Sequence, residues 1–215
     1  MEELTAIQRI SIWILPVLFA ITLHEAAHGL MAKLLGDDTA ARMGRLSINP
    51  LHHIDPIGTL LVPGILLMIG GFIFGWAKPV PVDWRRLKNP HRDMALVAVA
   101  GPLANFLMAI GWALITRLAN GINIDYISVP LGLMGVAGMV INVVLMVLNL
   151  LPIPPLDGGR IAVGVLPRKV GEVVSQIEPY GFFILLILIA TNLLSTILGG
   201  PIQLMEKVLF AFAGI

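Results

Sequence analysis

Apolar residues along this chain are gathered into long runs. Five runs are long enough to cross a lipid bilayer as helices; they cover about residues 10–35, 57–75, 94–118, 131–151 and 180–198, and a shorter apolar tail follows at 201–215. A helix satisfies all its backbone hydrogen bonds internally, as the hydrocarbon layer requires. The pattern therefore predicts an all-α membrane protein, a polytopic helical bundle whose last long span is 180–198.

Composition supports a membrane protein and narrows its chemistry. Of the 215 residues, 57% are hydrophobic and only 13% are charged, far from a soluble globular domain. This length accommodates four to six spans with short connections, so we expect a single integral-membrane domain over 1–215. A formal net charge of +1 gives no reason to expect nucleic acid as a partner. Because the chain contains no cysteine, any metal must be held by His, Asp or Glu.

The run at 57–75 differs from the others in its flanks and its interior. Basic residues flank it on both sides, and Pro63, Gly64, Gly70 and Gly71 interrupt it. The positive-inside rule places both flanks in the cytoplasm, which favours a re-entrant hairpin, although 19 apolar residues can also span a bilayer. The Val-rich and Pro-interrupted segment after it is predicted to form an edge strand. We therefore expect a short membrane-associated β or re-entrant insertion, whose strand edge is able to pair with another extended segment.

The distribution of basic residues also predicts the orientation. If 57–75 is re-entrant, 10–35 runs inward, 94–118 returns outward, and 131–151 runs inward again. The loop 119–130 contains no Lys or Arg, as expected for an external loop. Asp157 then lies on the cytoplasmic side together with the inner end of the first span. We expect both to lie at the cytoplasmic face of a prokaryotic cell membrane.

The first apolar run contains the motif His24-Glu25-Ala26-Ala27-His28. On a helix, residues four apart share one face, so both imidazoles can reach one metal ion, with Glu25 about 100° round the helix and placed to take a proton from a metal-activated water. An ionisable group at membrane depth costs about 2.5–3.5 kcal/mol unless it has a partner or a cavity. A polar cluster that only packs helices together is the alternative, but a metal accounts for all three groups at once.

A catalytic zinc site needs a third protein ligand and an open position, and Asp157 is the best candidate for that ligand. It lies in the segment 149–160, where three prolines stop a helix and two glycines allow unusual backbone conformations. Irregular backbone at membrane depth is tolerated where it lines a water-filled cavity. An ordinary Pro/Gly-rich turn at the membrane surface explains the same segment equally well, and spacing alone does not decide.

Three motifs in this order resemble the site-2 protease family of intramembrane metalloproteases. They are HEAAH at 24–28, GPLAN at 101–105 opening a later span, and the NxxPxxxLDG pattern within 149–160. The similarity extends over roughly residues 20–190 and is typical of a compact branch without PDZ or nucleotide-sensing domains. It implies a zinc metalloendopeptidase that cleaves transmembrane segments, with a transmembrane protein or peptide as substrate and the lipid bilayer as its surroundings.

The resemblance also implies roles for individual residues. His24, His28 and Asp157 would hold one Zn²⁺ per chain in a three-helix catalytic core, and Glu25 would be the general base. Asn105 or Asn149 would donate to the oxyanion or to substrate backbone. For each of these two asparagines, a structural amide hydrogen bond between helices is the alternative.

Two further alternatives concern other polar residues and the function itself. His53 lies in a polar cluster with His52 and Asp55. This cluster is predicted to be an interfacial loop bonded to backbone and water, or to place His53 beside the catalytic cavity as a partner of a metal ligand.

A metal-ion transporter or sensor would use the same three ligands without hydrolysis. Such a protein is expected to show inverted repeats, which are not apparent in this sequence.

Overall fold

The computed structural model describes residues 4–53, 55–61 and 78–215. Within these residues the chain forms eight α-helices: α1 (Ala6–Leu34), α2 (Thr39–Arg42), α3 (Pro90–Ala119), α4 (Asp125–Asn149), α5 (Asp157–Val165), α6 (Arg168–Ser175), α7 (Gly181–Ala190) and α8 (Leu193–Ala213). Short 3-10 turns lie at Pro50–His53, Trp84–Arg86 and Glu178–Tyr180, and Pro56–Leu61 is π-helical. The predicted helical bundle is confirmed.

Five segments among the described residues are long and apolar enough to cross a membrane: Ile7–Leu34, Pro90–Ala119, Asp125–Asn149, Arg168–Ala190 and Leu193–Ala213. Helices α1, α3 and α4 pack against one another and form the centre of the bundle. Helix α5 packs on α3, and α8 packs on both α3 and α4. The site described below lies where α1, α3 and α5 meet.

Small residues let the central helices approach closely. A Cβ on Gly135 would lie 2.0 Å from Thr116 Oγ1, and one on Gly138 would lie 2.2 Å from the Trp112 ring. Lipid chains are as apolar as the side chains, so close packing, rather than escape from water, holds such helices together. Beside this contact, buried residues of α3, α4 and α8 form one cluster: Ala109, Ala113, Met139, Val143, Leu209 and Ala213.

The predicted last span, 180–198, is divided in the structure. Helix α7 ends at Ala190, and α8 begins at Leu193 after Asn192 adopts a left-handed conformation with φ of 58°. The hydroxyl of Ser195 donates to both the carbonyl oxygen and Oδ1 of Asn192 at 2.7 Å. These local bonds offer the backbone an alternative to the helix. The apolar tail at 201–215 belongs to α8 and not to a separate segment.

The insertion between α2 and α3 is described only at its two ends. The predicted hairpin at 57–75 lies largely outside the described residues, which resume at Lys78. From 78 to 83 the chain forms no strand, and its backbone bonds to other parts of the protein: the N–H of Lys78 donates to the His53 carbonyl at 2.9 Å, and that of Val80 to Glu25. The predicted edge strand is absent over 78–82. The N–H groups of Lys78 and Val80, which a pairing strand would need, already donate to His53 and Glu25.

Candidate metal centre and catalytic cavity

Three side chains from two helices converge at one buried point. His24 and His28 lie one turn apart on α1, and Asp157 is the first residue of α5. The Nε2 atoms of the two histidines are 3.1 Å apart, and Asp157 Oδ2 lies 3.2 Å from His24 Nε2 and 3.3 Å from His28 Nε2. All three residues are buried, with exposures of 6–9%. The structure thus brings together two groups that are 129 positions apart in the sequence, Asp157 and His28.

This triangle has the dimensions of a zinc site. Nitrogen and oxygen ligands lie about 2.0–2.2 Å from zinc in a tetrahedral arrangement, which places neighbouring ligand atoms roughly 3.3–3.6 Å apart by geometry. The three observed separations fall at or just below the lower end of this range. His24, His28 and Asp157 therefore fit one metal ion, and the set of two imidazoles and a carboxylate is typical of catalytic zinc.

The outer nitrogens of both imidazoles face acceptors. His28 Nδ1 lies 2.7 Å from the Val97 carbonyl oxygen, and His24 Nδ1 lies 2.6 Å from Asn105 Oδ1. With the proton on Nδ1, each neutral ring presents a lone pair from Nε2 to the centre. Among the described residues, Asp157 Oδ2 is buried without a hydrogen-bond partner. Three acceptor atoms facing one another call for a cation between them.

A cavity of about 370 Å³ opens beside this metal centre. Glu25 lines it, half-buried, and its Oε2 accepts a hydrogen bond from the Val80 N–H at 2.8 Å. Thus Glu25 borders the same space as the three candidate ligands without belonging to their triangle. Asn149 and Arg160 contribute polar groups to the remaining wall. The rest of the wall is apolar and comes from several elements: Pro79, Val80, Val82, Met94, Val97, Ala98, Pro155, Leu156, Phe182 and Leu185.

Glycines allow the backbone to come close enough to assemble the site. A Cβ on Gly101 of α3 would lie 2.4 Å from His28 Nε2 and 2.6 Å from His24 Cε1. A Cβ on Gly158 would lie 2.2 Å from the carbonyl oxygen of Leu151. The first glycine brings α3 against the two imidazoles, and the second seats the start of α5 on the preceding loop. Both contacts involve groups that cannot move aside freely, so a side chain at either position would displace the ligands.

The two asparagines predicted to donate to substrate differ in position. Asn105 is fully buried: its Oδ1 faces His24, and its Nδ2 donates to the Ala20 carbonyl at 3.2 Å and to Asn142 Oδ1 at 2.8 Å. It does not line the cavity, so its geometry favours holding His24 over contacting substrate. Asn149 does line the cavity, and its Nδ2 donates to the Leu145 carbonyl at 3.0 Å.

His53 lies away from the ligand triangle. It is buried, and its Nε2 lies 2.8 Å from the Ser47 carbonyl oxygen. Its own carbonyl accepts from the Lys78 N–H. Among the described contacts it makes none with the metal centre. This arrangement matches the structural alternative, in which His53 organises the interfacial loop through backbone bonds.

Two buried polar residues at the site were not predicted. Asn142 on α4 is fully buried and bonded to Asn105; the signal for it was a single amide in the middle of an apolar span, where polar groups are costly. Asp37 is also fully buried and accepts hydrogen bonds from the N–H groups of Thr39, at 3.0 Å, and Asp83, at 2.7 Å. It ties the segment that carries Val80 to the end of α1, but no sequence motif marks it.

The charge of Asp37 is stabilised where it lies. Burial raises the pKa of this carboxyl group, but the hydrogen bonds from Thr39 and Asp83 and the nearby Arg86 charge outweigh burial and leave the pKa below its usual value. Asp37 is therefore ionised at neutral pH. As a carboxylate it accepts both backbone N–H groups, and the segment beside Glu25 stays anchored.

The fold and the site together define a polytopic membrane protein with a buried candidate metal centre and an adjacent catalytic carboxylate candidate. A family model described as Peptidase family M50 matches residues 122–191, which include Asp157. The protein named "Putative zinc metalloprotease YwhC" of Bacillus subtilis is 40% identical over 188 residues, covering 86% of this chain and 83% of that protein.

Two mycobacterial relatives are longer than this chain. The protein named "Putative zinc metalloprotease Rip2" of Mycolicibacterium smegmatis is 30% identical over 183 residues, which are 83% of this chain and 66% of that protein. The protein of the same name from Mycobacterium tuberculosis H37Rv is 33% identical over 142 residues, 66% of this chain and 52% of that protein. The comparison with solved structures found no match.

These relationships show that the chain belongs to peptidase family M50, the site-2 protease family. It is therefore a protease, and the five membrane-competent segments among its described residues make it an integral membrane protein. The predicted resemblance is confirmed. A metal-ion transporter or sensor, the alternative raised from the sequence, receives no support from these relatives.

Proposed function

We propose that this protein is an intramembrane zinc metalloendopeptidase that cleaves the transmembrane segments of other membrane proteins. The observation that carries the proposal is the triangle of His24, His28 and Asp157, which has the ligand spacing of zinc and borders a cavity that also contains Glu25. Zinc is the metal in the names of the relatives YwhC and Rip2. Three protein ligands also leave a coordination position for chemistry, as in catalytic zinc sites.

The residues around the cavity supply the proton transfers. When bound, zinc would lower the pKa of a coordinated water and polarise the peptide carbonyl. Glu25 accepts the proton of the attacking water and then gives it to the leaving amine, so no covalent acyl-enzyme forms. The Val80 N–H holds one carboxylate oxygen of Glu25 at 2.8 Å, which fixes the direction of its other oxygen.

Asn149 is the candidate donor to the oxyanion. Its amide nitrogen carries two hydrogens, and one of them is donated to the Leu145 carbonyl. The described contacts leave the second hydrogen available, and Asn149 lines the cavity. A preformed donor aimed at developing negative charge contributes roughly 10²–10³ in rate. We assign this role to Asn149 and not to Asn105, whose amide is already used by Ala20 and Asn142.

The position of the site within the bundle bears on substrate choice. His24 and His28 lie on α1, which is long and apolar enough to cross the membrane, and Asp157 begins the short helix α5. A substrate peptide bond therefore reaches the ligands from within or beside the bilayer. A helical peptide bond hides its carbonyl in the helix hydrogen-bond ladder. Cleavage thus requires local unwinding, and helix-weakening residues such as Gly, Pro, Asn or Ser near the scissile bond lower its cost.

A cleavage assay with matched substrates tests the proposed activity. The purified protein is reconstituted with zinc and a single-span peptide that contains a Gly-Pro or Asn-Gly pair within its apolar segment. We expect cleavage inside the span, located by mass spectrometry, and cleavage at least about tenfold slower after both residues are replaced by Leu, since Gly and Pro weaken a helix by about 1 and 3 kcal/mol. Cleavage confined to the flanking loops, at equal rates for both peptides, would refute intramembrane proteolysis.

We also propose that the catalytic cavity faces the cytoplasmic side of a prokaryotic cell membrane. Lys33 lies in the last turn of α1 and Arg42 and Arg45 follow it, whereas the loop 120–124 at the other end of α3 has no Lys or Arg. The chain has no cysteine, so single cysteines report topology unambiguously. In intact cells, an impermeant maleimide should label Asn120→Cys and leave Met43→Cys unlabelled. The reverse labelling pattern would place the cavity on the outer side.

A further inference from the structure

A buried hydrogen-bond relay leads from α4 to the metal centre. Asn142 is fully buried, and its Nδ2 donates to the Gly138 carbonyl at 2.9 Å. Its Oδ1 accepts from Asn105 Nδ2 at 2.8 Å, and Asn105 Oδ1 in turn lies 2.6 Å from His24 Nδ1. Two amides therefore connect the backbone of one transmembrane helix with a candidate zinc ligand on another.

The direction of this relay is determined by its ends. A backbone carbonyl accepts hydrogen bonds and cannot donate them. Asn142 must therefore direct its NH₂ group at the Gly138 carbonyl, one turn earlier on α4, and its oxygen at Asn105. The Ala20 carbonyl accepts from Asn105 Nδ2 as well. Asn105 must then present its oxygen to His24, and the His24 proton is held on Nδ1.

The two histidines are thus fixed in different ways. His28 Nδ1 faces the Val97 carbonyl directly, so the backbone alone fixes its tautomer. His24 depends on the orientation of a side-chain amide that could in isolation turn by 180°. If Asn105 presented its NH₂ group to His24 Nδ1, the ring proton would move to Nε2 and occupy the position that a metal needs.

We propose that Asn142 is a positioning residue for His24: together with the Ala20 carbonyl, and at the shorter distance of 2.8 Å, it holds the amide of Asn105 in one orientation and so keeps His24 Nε2 free to bind the metal. This inference rests on the proposed zinc site and adds to it a residue that touches neither metal nor cavity. Outer partners of metal-ligating histidines orient the ring and fix its tautomer, and their loss typically weakens metal binding about 10- to 100-fold.

The test measures zinc affinity by competition with a chelator on the full-length protein in detergent. Asn142→Leu keeps a side chain of similar size but removes the nearer of the two acceptors for Asn105 and leaves only the Ala20 carbonyl. We expect zinc to bind about tenfold more weakly, at the lower end of the range for outer partners because Asn142 acts through one intermediate. The matched control is Val143→Ala, which disturbs the same buried level of α4 without touching the relay. It should lower thermal stability while leaving zinc affinity within about twofold of the wild type.

A double-variant cycle then shows whether Asn142 acts through Asn105. If it does, Asn105→Leu combined with Asn142→Leu binds zinc no more weakly than Asn105→Leu alone, because residues in one network are not additive. Unchanged zinc affinity in Asn142→Leu, an equal loss in Val143→Ala, or additive losses in the double variant would each overturn the proposal.

A second substitution covers the event that Asn142→Leu does not fold. Asn142→Ser retains a donor for the Gly138 carbonyl at i−4, but its side chain is too short to hold the Asn105 amide. It should also weaken zinc binding about tenfold, and wild-type affinity in this variant would contradict the relay. Failure of the proposed function is distinguishable, since the wild-type protein itself would then bind no zinc or would bind zinc without cleaving the membrane peptide.

Discussion

Replacing Glu25 with Gln is expected to abolish detectable proteolysis while leaving zinc in place. Glutamine has the same length, and its carbonyl oxygen can still accept the Val80 N–H, but it cannot take a proton from water. General acid–base catalysis contributes roughly 10²–10⁴ in rate, so we expect a loss of that size. The measurements are the initial rate of product formation from a reconstituted membrane-peptide substrate and the zinc content of the same preparation.

The control for this substitution is Glu172→Gln on α6, which removes an exposed carboxylate outside the cavity. It should cleave at the wild-type rate. Undiminished cleavage by Glu25→Gln would remove Glu25 from the mechanism. Metal transport that persists in this variant, with no proteolysis by the wild type, would instead favour a transporter that uses the same ligands.

Gly101→Ala is expected to weaken zinc binding about 10- to 100-fold and to reduce cleavage with it. The added methyl group would lie 2.4 Å from His28 Nε2 and 2.6 Å from His24 Cε1. Forcing a methyl group into a packed site costs about 1–3 kcal/mol, and 1.4 kcal/mol corresponds to a tenfold change in affinity. Alanine favours helix over glycine, so α3 itself should remain intact. Chelator competition gives the affinity, and circular dichroism checks the helix.

The same helix offers a matched control for this change. A Cβ on Gly111, ten positions further along α3, would meet nothing within 4 Å. Gly111→Ala should therefore retain zinc affinity and cleavage. If Gly101→Ala also bound zinc like the wild type, the imidazoles could not lie against α3 as the structure places them.

Local sequence signals were enough to predict the helical bundle and to nominate its central residues. The HEAAH spacing requires only one helix turn to bring His24 and His28 together. Asp157 was a different case, because no local rule states which distant carboxylate meets a given helix. The resemblance supplied that pairing, and the structure places Asp157 Oδ2 within 3.3 Å of both imidazoles.

Other features depend on tertiary contacts or on weak local preferences, and sequence reasoning missed them. The break after Ala190 arises from Asn192 and Ser195, whose bonds compete with a helix inside an apolar run. For Asn105 the sequence left open contact with substrate or an amide bond between helices, and in the structure its amide lies between His24 and Asn142. Hydropathy alone could not distinguish a side chain that faces substrate from one that supports a ligand from behind.

The predicted edge strand failed for a related reason. The sequence around Pro79 and Pro81, with Val80 and Val82, fits an extended segment, but strand pairing also needs free backbone donors. In the structure the Val80 N–H is bonded to Glu25 and the Asp83 N–H to Asp37. The segment therefore bonds to the Glu25 carboxylate and to Asp37, a use that periodicity does not reveal.

The metal content of purified protein tests the central claim most directly. Mass spectrometry on the wild type and on Asp157→Ala, purified in parallel without added chelator, compares three ligands with two. We predict close to one zinc per wild-type chain and a small fraction of that in Asp157→Ala, because a catalytic zinc site requires three protein ligands. Full zinc occupancy in Asp157→Ala, held equally well against a chelator, would contradict the assignment of His24, His28 and Asp157 as the metal centre.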